Sequence, residues 1–366
     1  MKEMTKKTAV VAMAGIMAAG MLTGCGEKKL DGSKTVATVD GTEIPLGVVS
    51  LSVRDGQMQT EAMYRSYMGG SDFSIWDTEA EEGKTYGEQL VEQALEDVEL
   101  MYIMKEKAAD YDVEITEDDE KAIADAAAAF MSANTEDTLK TLAVTEDQVK
   151  TYLELETYKS RMHDPIIADV DKNVSDEEAQ QSSFSYVSIS ISGDDLTDDD
   201  IATRKEQAQE ILDKMKEDPT ADMGETAKAV DDTYSGLTGT IFTNDSDDED
   251  ISNSYDDAVV EALRTLKDGE VYDELVETDT NVYVLRMDKV NDEDATASKK
   301  ESLENTKRSN YYSETTQQWL DDAEITVNDK VLATLIITDD HSFTIKDTTA
   351  DTSEDAGTDT AADTSE

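Results

Sequence analysis

The chain has 366 residues, 38% of them hydrophobic, which suffices for ordinary packed cores and about two domains. Its 86 acidic residues against 32 basic ones give a net charge of −54, a surface that repels phosphate backbones and anionic headgroups and excludes nucleic acid as a ligand. One cysteine and two histidines exclude disulfides and any usual zinc ligand set. They also leave Ser-His-Asp and Cys-His catalysis unsupported, since His163 precedes Pro165 at an expected helix end and His341 precedes an acidic tail.

The chain opens with Lys2, Lys6 and Lys7, an apolar stretch from Thr8 to Leu22, and then Thr23, Gly24 and Cys25. A basic segment, an apolar run and small residues follow the plan of a cleaved secretory signal, and the run falls short of the ~20 residues that span a bilayer. The Leu-Thr-Gly-Cys ending resembles the lipobox of bacterial lipoproteins. That resemblance implies removal of residues 1–24, lipid attachment at Cys25, and an extracytoplasmic protein anchored to the cell membrane. Residues 25–34, with Gly, Lys and Ser, are read as a flexible lipidated tether. No later stretch is apolar enough to cross a membrane.

Thr35 to Val39 and Thr42 to Ile44 flank Asp40-Gly41, a dipeptide suited to the positive φ angles of a tight hairpin turn. From Tyr86 to about Ala109, residues Leu90, Ala94, Val98, Met101 and Tyr102 recur at helical spacing. Thr116 with Asp119, Thr145 with Gln148, and Ser175 with Glu178 form capping-box pairs that predict further helix starts. The pattern changes at Phe184, where alternation through Ile191 predicts a strand. Ala208, Ile211, Leu212 and Met215, and later Val259, Ala262, Leu263 and Leu266, predict two helices, the second closed at Asp268-Gly269. Asn281 to Val290 reads as a second strand, which completes a β-α-α-β unit with an acidic loop from Asn244 to Asp250. In that loop Asp245, Asp247 and Glu249 alternate like a calcium loop, but Asp250 occupies the glycine position, so it reads as solvated chain and no metal site. Ser298 to Asp322 turns helical again with Tyr311, Tyr312, Trp319 and Leu320 buried, and residues 346–366 form a disordered acidic tail. The fold class is α+β.

This order, with its Val-Ala-Thr-Val-Asp-Gly hairpin, long helix, inserted β-rich unit and late helix, resembles the PrsA-type foldase lipoproteins and the wider SurA-like chaperones. Val36 to Ile44, Tyr86 to Ile123 and Glu261 to Val290 carry the likeness. It implies one mainly helical chaperone domain built from residues 35–180 and 293–345, interrupted at 181–292 by a parvulin-type peptidyl-prolyl isomerase domain. A parvulin carries two facing histidines, and here Tyr186 and Tyr283 occupy their positions. Asp231 or Asp232 matches the acidic position, and Gly236 or Gly239 the glycine-rich loop. No catalytic residue is therefore assigned, and isomerase activity is an open question.

The resemblance implies unfolded or partly folded exported proteins as partners and no cofactor, and it leaves a homodimer open. Met58, Met63 and Met68, with Tyr64 and Tyr67, are candidate client-binding residues because methionine adapts to irregular partners, although the same residues suit a core. The alternative function is a solute-binding lipoprotein of a membrane transporter, which shares the anchor but needs two α/β lobes.

Overall fold

The computed structural model describes residues 17–19, 30–67, 75–81, 83–170, 173–193, 196–245, 252–339 and 343–345. Cys25, Met68, His341, Asp247, Glu249, Asp250 and the acidic tail lie outside the described residues. The chain divides into two compact units, one of residues 1–169 with 312–366 and one of residues 170–311.

In chain order the first unit opens with β1 (Met17–Ala19), β2 (Thr35–Val39), β3 (Thr42–Pro45) and α1 (Leu46–Tyr67). A short pair, β4 (Glu79–Glu81) and β5 (Lys84–Thr85), precedes α2 (Tyr86–Lys107), α3 (Glu117–Ala133), α4 (Glu136–Leu142) and α5 (Glu146–Ile166). The second unit holds α6 (Asp176–Ala179), β6 (Gln181–Ser190), α7 (Asp198–Glu217), α8 (Met223–Lys228), β7 (Leu237–Phe242), α9 (Asp257–Arg264), β8 (Val276–Glu277) and β9 (Asn281–Lys289). Helix α10 (Glu293–Asp322) follows, and the chain ends with β10 (Ile325–Val327), α11 (Asp329–Leu332) and β11 (Phe343–Ile345), the last pairing with β1.

Local chemistry fixes most of these boundaries. Asp40 and Gly41 adopt φ angles of 48° and 82°, so both central residues of the turn are left-handed and β2 folds straight back on β3. The opposite edge of β2 takes β10, with Ile325 opposite Val39, so a segment nearly 300 residues further along the chain completes the three-stranded sheet β10-β2-β3. Helices α2, α3 and α5 each start at a complete capping box, at Thr85 with Glu88, Thr116 with Asp119, and Thr145 with Gln148. These side chains close amides that have no partner within the helix. The core behind them gathers Val36, Ile44, Leu46, Val49 and Val53, with Val98 and Met101 of α2, Leu155 of α5, and Leu335 and Ile337 of the returning segment.

Residues 30–34 belong to this unit rather than to a loose tether. Leu30 packs on the core, and the Gly32 carbonyl accepts from Gly47 N at 2.9 Å and from Gln148 Nε2 at 2.6 Å. Any side chain at position 32 would overlap the Ala143 carbonyl, so glycine permits the close approach.

The second unit is built on the antiparallel sheet β7-β6-β9-β8. One face lays Val187, Ile189, Val282 and Val284 on Ala208, Ile211, Leu212 and Met215 of α7. The other lays Phe184, Ile241, Leu285 and Met287 on Val259 and Leu263 of α9. The expected β-α-α-β unit is thus β-α-α-β-α-β-β, with α8, β7 and β8 added. The two strands escaped the pattern because Leu237-Thr-Gly-Thr-Ile-Phe mixes exposed threonines with a glycine and β8 has only two residues. Helix α10 starts at Glu293, ahead of the expected Ser298, and along it Tyr312, Trp319 and Leu320 are half-buried whereas Tyr311 is exposed. The helices with their small antiparallel sheets make an α+β protein. Among the described residues no helix is long and apolar enough to cross a membrane.

Candidate functional site

Strands β6 and β9 pair with Tyr186 opposite Leu285 and Ser188 opposite Tyr283, which puts Tyr186 and Tyr283 diagonally on one face of the sheet. Their ring centroids are 6.3 Å apart. A third tyrosine joins them from the loop before α9. The ring of Tyr255 meets Phe184 edge-on at 5.1 Å and Tyr186 edge-on at 5.8 Å. All three tyrosines are half-buried. Burial, then a hydrogen bond to Tyr186 and the nearness of Tyr186 and Tyr283, push the Tyr255 phenol up to about 12. Tyr255 is therefore a neutral donor at ordinary pH.

The glycine that makes room for this is Gly239 on β7, opposite Phe184. A methyl group there would overlap the Tyr255 hydroxyl and press on the Phe184 ring. Gly236, the other candidate for the glycine-rich loop, instead backs onto the main chain of Gly224. Asp231 does not join the tyrosines. Its carboxylate accepts from Thr233 N at 3.0 Å and Thr233 Oγ1 at 2.7 Å, which holds its pKa down, and its neighbours Val230 and Tyr234 pack on the α7 face of the sheet. Asp232 is exposed. Asp245 forms an ion pair with Arg264. His163 lies near the end of α5 with its ring 5.0 Å from Tyr312. Among the described residues no group of three or more His, Cys, Asp or Glu side chains is placed to hold a metal.

Helix α1 carries the other candidates, and the structure separates them. Met58 is a core residue, whereas Met63, Tyr64 and Tyr67 are exposed on the last turns, Tyr67 by 83%. A buried polar line holds the helix upstream of this tip. Arg54 Nη1 donates to Gln57 Oε1 at 2.7 Å, Gln57 Nε2 donates to Glu61 Oε1 at 3.0 Å, and Trp76 Nε1 donates to the same oxygen at 2.9 Å. Burial lowers the Arg54 guanidinium to about 10, an effect that Glu61 opposes. A fixed shaft thus presents an apolar tip.

Sequence reasoning missed Tyr255. Its signal was a lone aromatic inside Ser252-Asn-Ser-Tyr-Asp-Asp257, where a large ring among polar neighbours needs a surface to rest on.

No protein-family model matches the chain, and no curated protein matches it in sequence. A solved structure from a study of PEB4 and Cj1289, two SurA-like chaperones of Campylobacter jejuni, is similar at 10% identity and a TM-score of 0.28. The match covers 80% of this chain and 98% of the other. A likeness that slight decides neither fold nor function.

Proposed function

We propose that this chain is a chaperone of exported proteins, anchored to the outer face of the cell membrane through Cys25 and carrying a parvulin-type insert with an altered site. One observation carries the reading. A helical unit assembled from two distant stretches is interrupted by a β-α-α-β-α-β-β unit, and Tyr186 and Tyr283, which the sequence resemblance aligns with the two parvulin histidines, stand on its adjacent strands.

Rotation about an X-Pro bond faces a barrier of ~18–20 kcal/mol, and an isomerase must bind the twisted amide better than the planar one. Phenols can contribute hydrogen bonds to that end. Here the Tyr255 hydroxyl fills the space over Gly239 and its ring meets Phe184 and Tyr186 edge-on, so this face is occupied by one of the unit's own side chains. The insert then serves mainly to bind and to space clients. The apolar tip of α1, with Met63, Tyr64 and Tyr67, supplies an adaptable contact for unfolded chains, and the acidic surface keeps loaded complexes soluble. A solute-binding lipoprotein would need two α/β lobes, and the first unit instead packs helices around a three-stranded sheet.

Refolding of a proline-limited model protein, followed by slow-phase rate and aggregated fraction, tests the proposal. Less aggregation at an unchanged slow phase is the expected result. A faster slow phase would establish an active tyrosine-lined isomerase, and no effect on either quantity would refute the chaperone reading.

A further inference from the structure

Strand β7 is an edge of its sheet, and its two halves are finished differently. Thr243 N donates to Gln180 O at 3.0 Å, whereas Phe242 N donates to Asn253 Oδ1 at 2.8 Å. Alternate residues of an antiparallel strand point their backbone groups in opposite directions, so Leu237, Gly239 and Ile241 bond to β6, and Thr238, Thr240 and Phe242 face away from it. At Phe242 the outward edge is closed, because Arg264 Nη2 also donates to its carbonyl at 3.0 Å. At Thr238 and Thr240 it is open: both residues are exposed, and among the described residues neither outward N–H has an acceptor.

Folded proteins normally blunt such an edge with lysine, proline, a bulge or a covering segment. Among the described residues Leu237-Thr-Gly-Thr240 has none of these; it pairs with β6 in unbroken register and leaves Leu237 45% exposed. Each outward residue offers one donor and one acceptor at strand spacing. One face of an added strand would continue the surface formed by Gly239, Tyr255 and Phe184, where aromatic rings receive apolar side chains.

We infer that β7 is a docking strand, and that an extended, positively charged segment of a partner polypeptide adds to it through the backbones of Thr238 and Thr240. Charge selects this occupant. A second copy of the chain brings another net charge of −54 to the contact and is repelled. The chain on either side of the edge is acidic, with exposed Asp232 before the strand and exposed Asp256 and Asp257 after Asn253, which favours a cationic segment. The inference deepens the client-binding reading and rests on it only for the choice of a polypeptide ligand.

The test uses the full-length chain and a short synthetic peptide of alternating lysine and valine. Bound peptide should slow amide exchange at Thr238 and Thr240 while leaving Gly239 and Ile241, already bonded to β6, unchanged. Thr240→Pro removes one outward N–H without touching the β6 ladder, a position where an edge strand tolerates proline. It should weaken binding roughly tenfold, the worth of one or two net hydrogen bonds. The same peptide N-methylated at every residue keeps its charge and side chains but loses its donors, and should not bind. Equal affinity for the N-methylated peptide, or unchanged exchange at Thr238 and Thr240 under saturating peptide, overturns the docking strand even if Thr240→Pro proves unstable. Suppression of client aggregation that survives either of those results leaves the chaperone reading standing, while peptide protection at β7 without any suppression supports the docking strand and counts against that reading alone.

Discussion

The hydroxyl of Tyr255 rests against the main chain of Gly239, so a loop side chain of the same unit closes the aromatic face of the sheet. Gly239→Ala must push that hydroxyl away and strain Phe184 beside it. The expected cost is about 1–3 kcal/mol, the usual penalty for overpacking. Urea unfolding should report the loss, and near-ultraviolet circular dichroism should report reoriented tyrosines. An unchanged midpoint and spectrum would mean that Tyr255 does not occupy this place in solution.

Replacing both strand tyrosines asks whether they do chemistry. Tyr186→Phe with Tyr283→Phe keeps the rings and removes the hydroxyls. The slow phase of a proline-limited refolding reaction should be the same with the double variant as with the parent. A slower phase with the variant would assign the phenols a catalytic part.

Glu99 of α2 is 6% exposed and, among the described residues, its Oε1 has no hydrogen-bond partner. Burial, and then the nearby Glu96, raise its carboxyl to about 7. A carboxyl raised in the folded state stays protonated while the unfolded chain ionises, so its contribution is intact below about pH 4.5 and is lost as pH rises toward 7. Asp55 and Glu156, both raised chiefly by burial, act in the same direction. The first unit should therefore be more stable at pH 5 than at pH 8, with Glu99 supplying up to about 3 kcal/mol of the difference. Glu99→Gln should flatten that slope in urea titrations run across the range. A slope equal to that of the parent would show that Glu99 is ionised in the folded protein.

Asp119 behaves in the opposite way. Arg161 Nη2 donates to its Oδ1 at 2.6 Å, and Thr116 N and Oγ1 donate to its Oδ2, which holds its carboxyl well below the usual range. The stability it contributes is present above about pH 4 and disappears on further acidification. Asp119→Ala removes the reciprocal half of the capping box and the charged hydrogen bond, while Thr116 still caps the helix, and should cost about 2 kcal/mol at pH 7. Thermal unfolding of variant and parent should converge in strong acid, and a gap that persists there would assign the loss to packing.

What the sequence made legible was chemistry between near neighbours. The Asp40-Gly41 turn and the boxes at Thr116, Thr145 and Ser175 all depend on residues within a few positions of each other, whereas the helix end expected at Gly269 comes earlier, at Arg264, and left-handed Gly269 only turns the chain beyond it. The alternation around Tyr186 and Tyr283 also placed both rings on strands. It could not place Tyr255, whose partners Phe184 and Tyr186 lie about 70 residues away and are chosen by the sheet. Nor did it show β7, because threonine and glycine at an edge leave no alternating apolar mark. The split within the methionine group followed from depth along α1. Met58 falls where the helix faces the core, and Met63 lies past the buried Glu61 to Trp76 bond, beyond which the helix surface opens.

That split makes the client surface separable from the fold. Met58→Ala removes a core side chain and should cost about 2–5 kcal/mol, lowering chaperone activity only through loss of folded protein. Met63→Ser with Tyr67→Ser alters exposed positions and should leave unfolding within about 0.5 kcal/mol of the parent. If the tip of α1 holds clients, this second variant should let more of an aggregating model protein precipitate at equal concentration of folded chaperone. Aggregation equal to that with the parent would move client binding off α1 and leave the open edge of β7 as the surface to pursue.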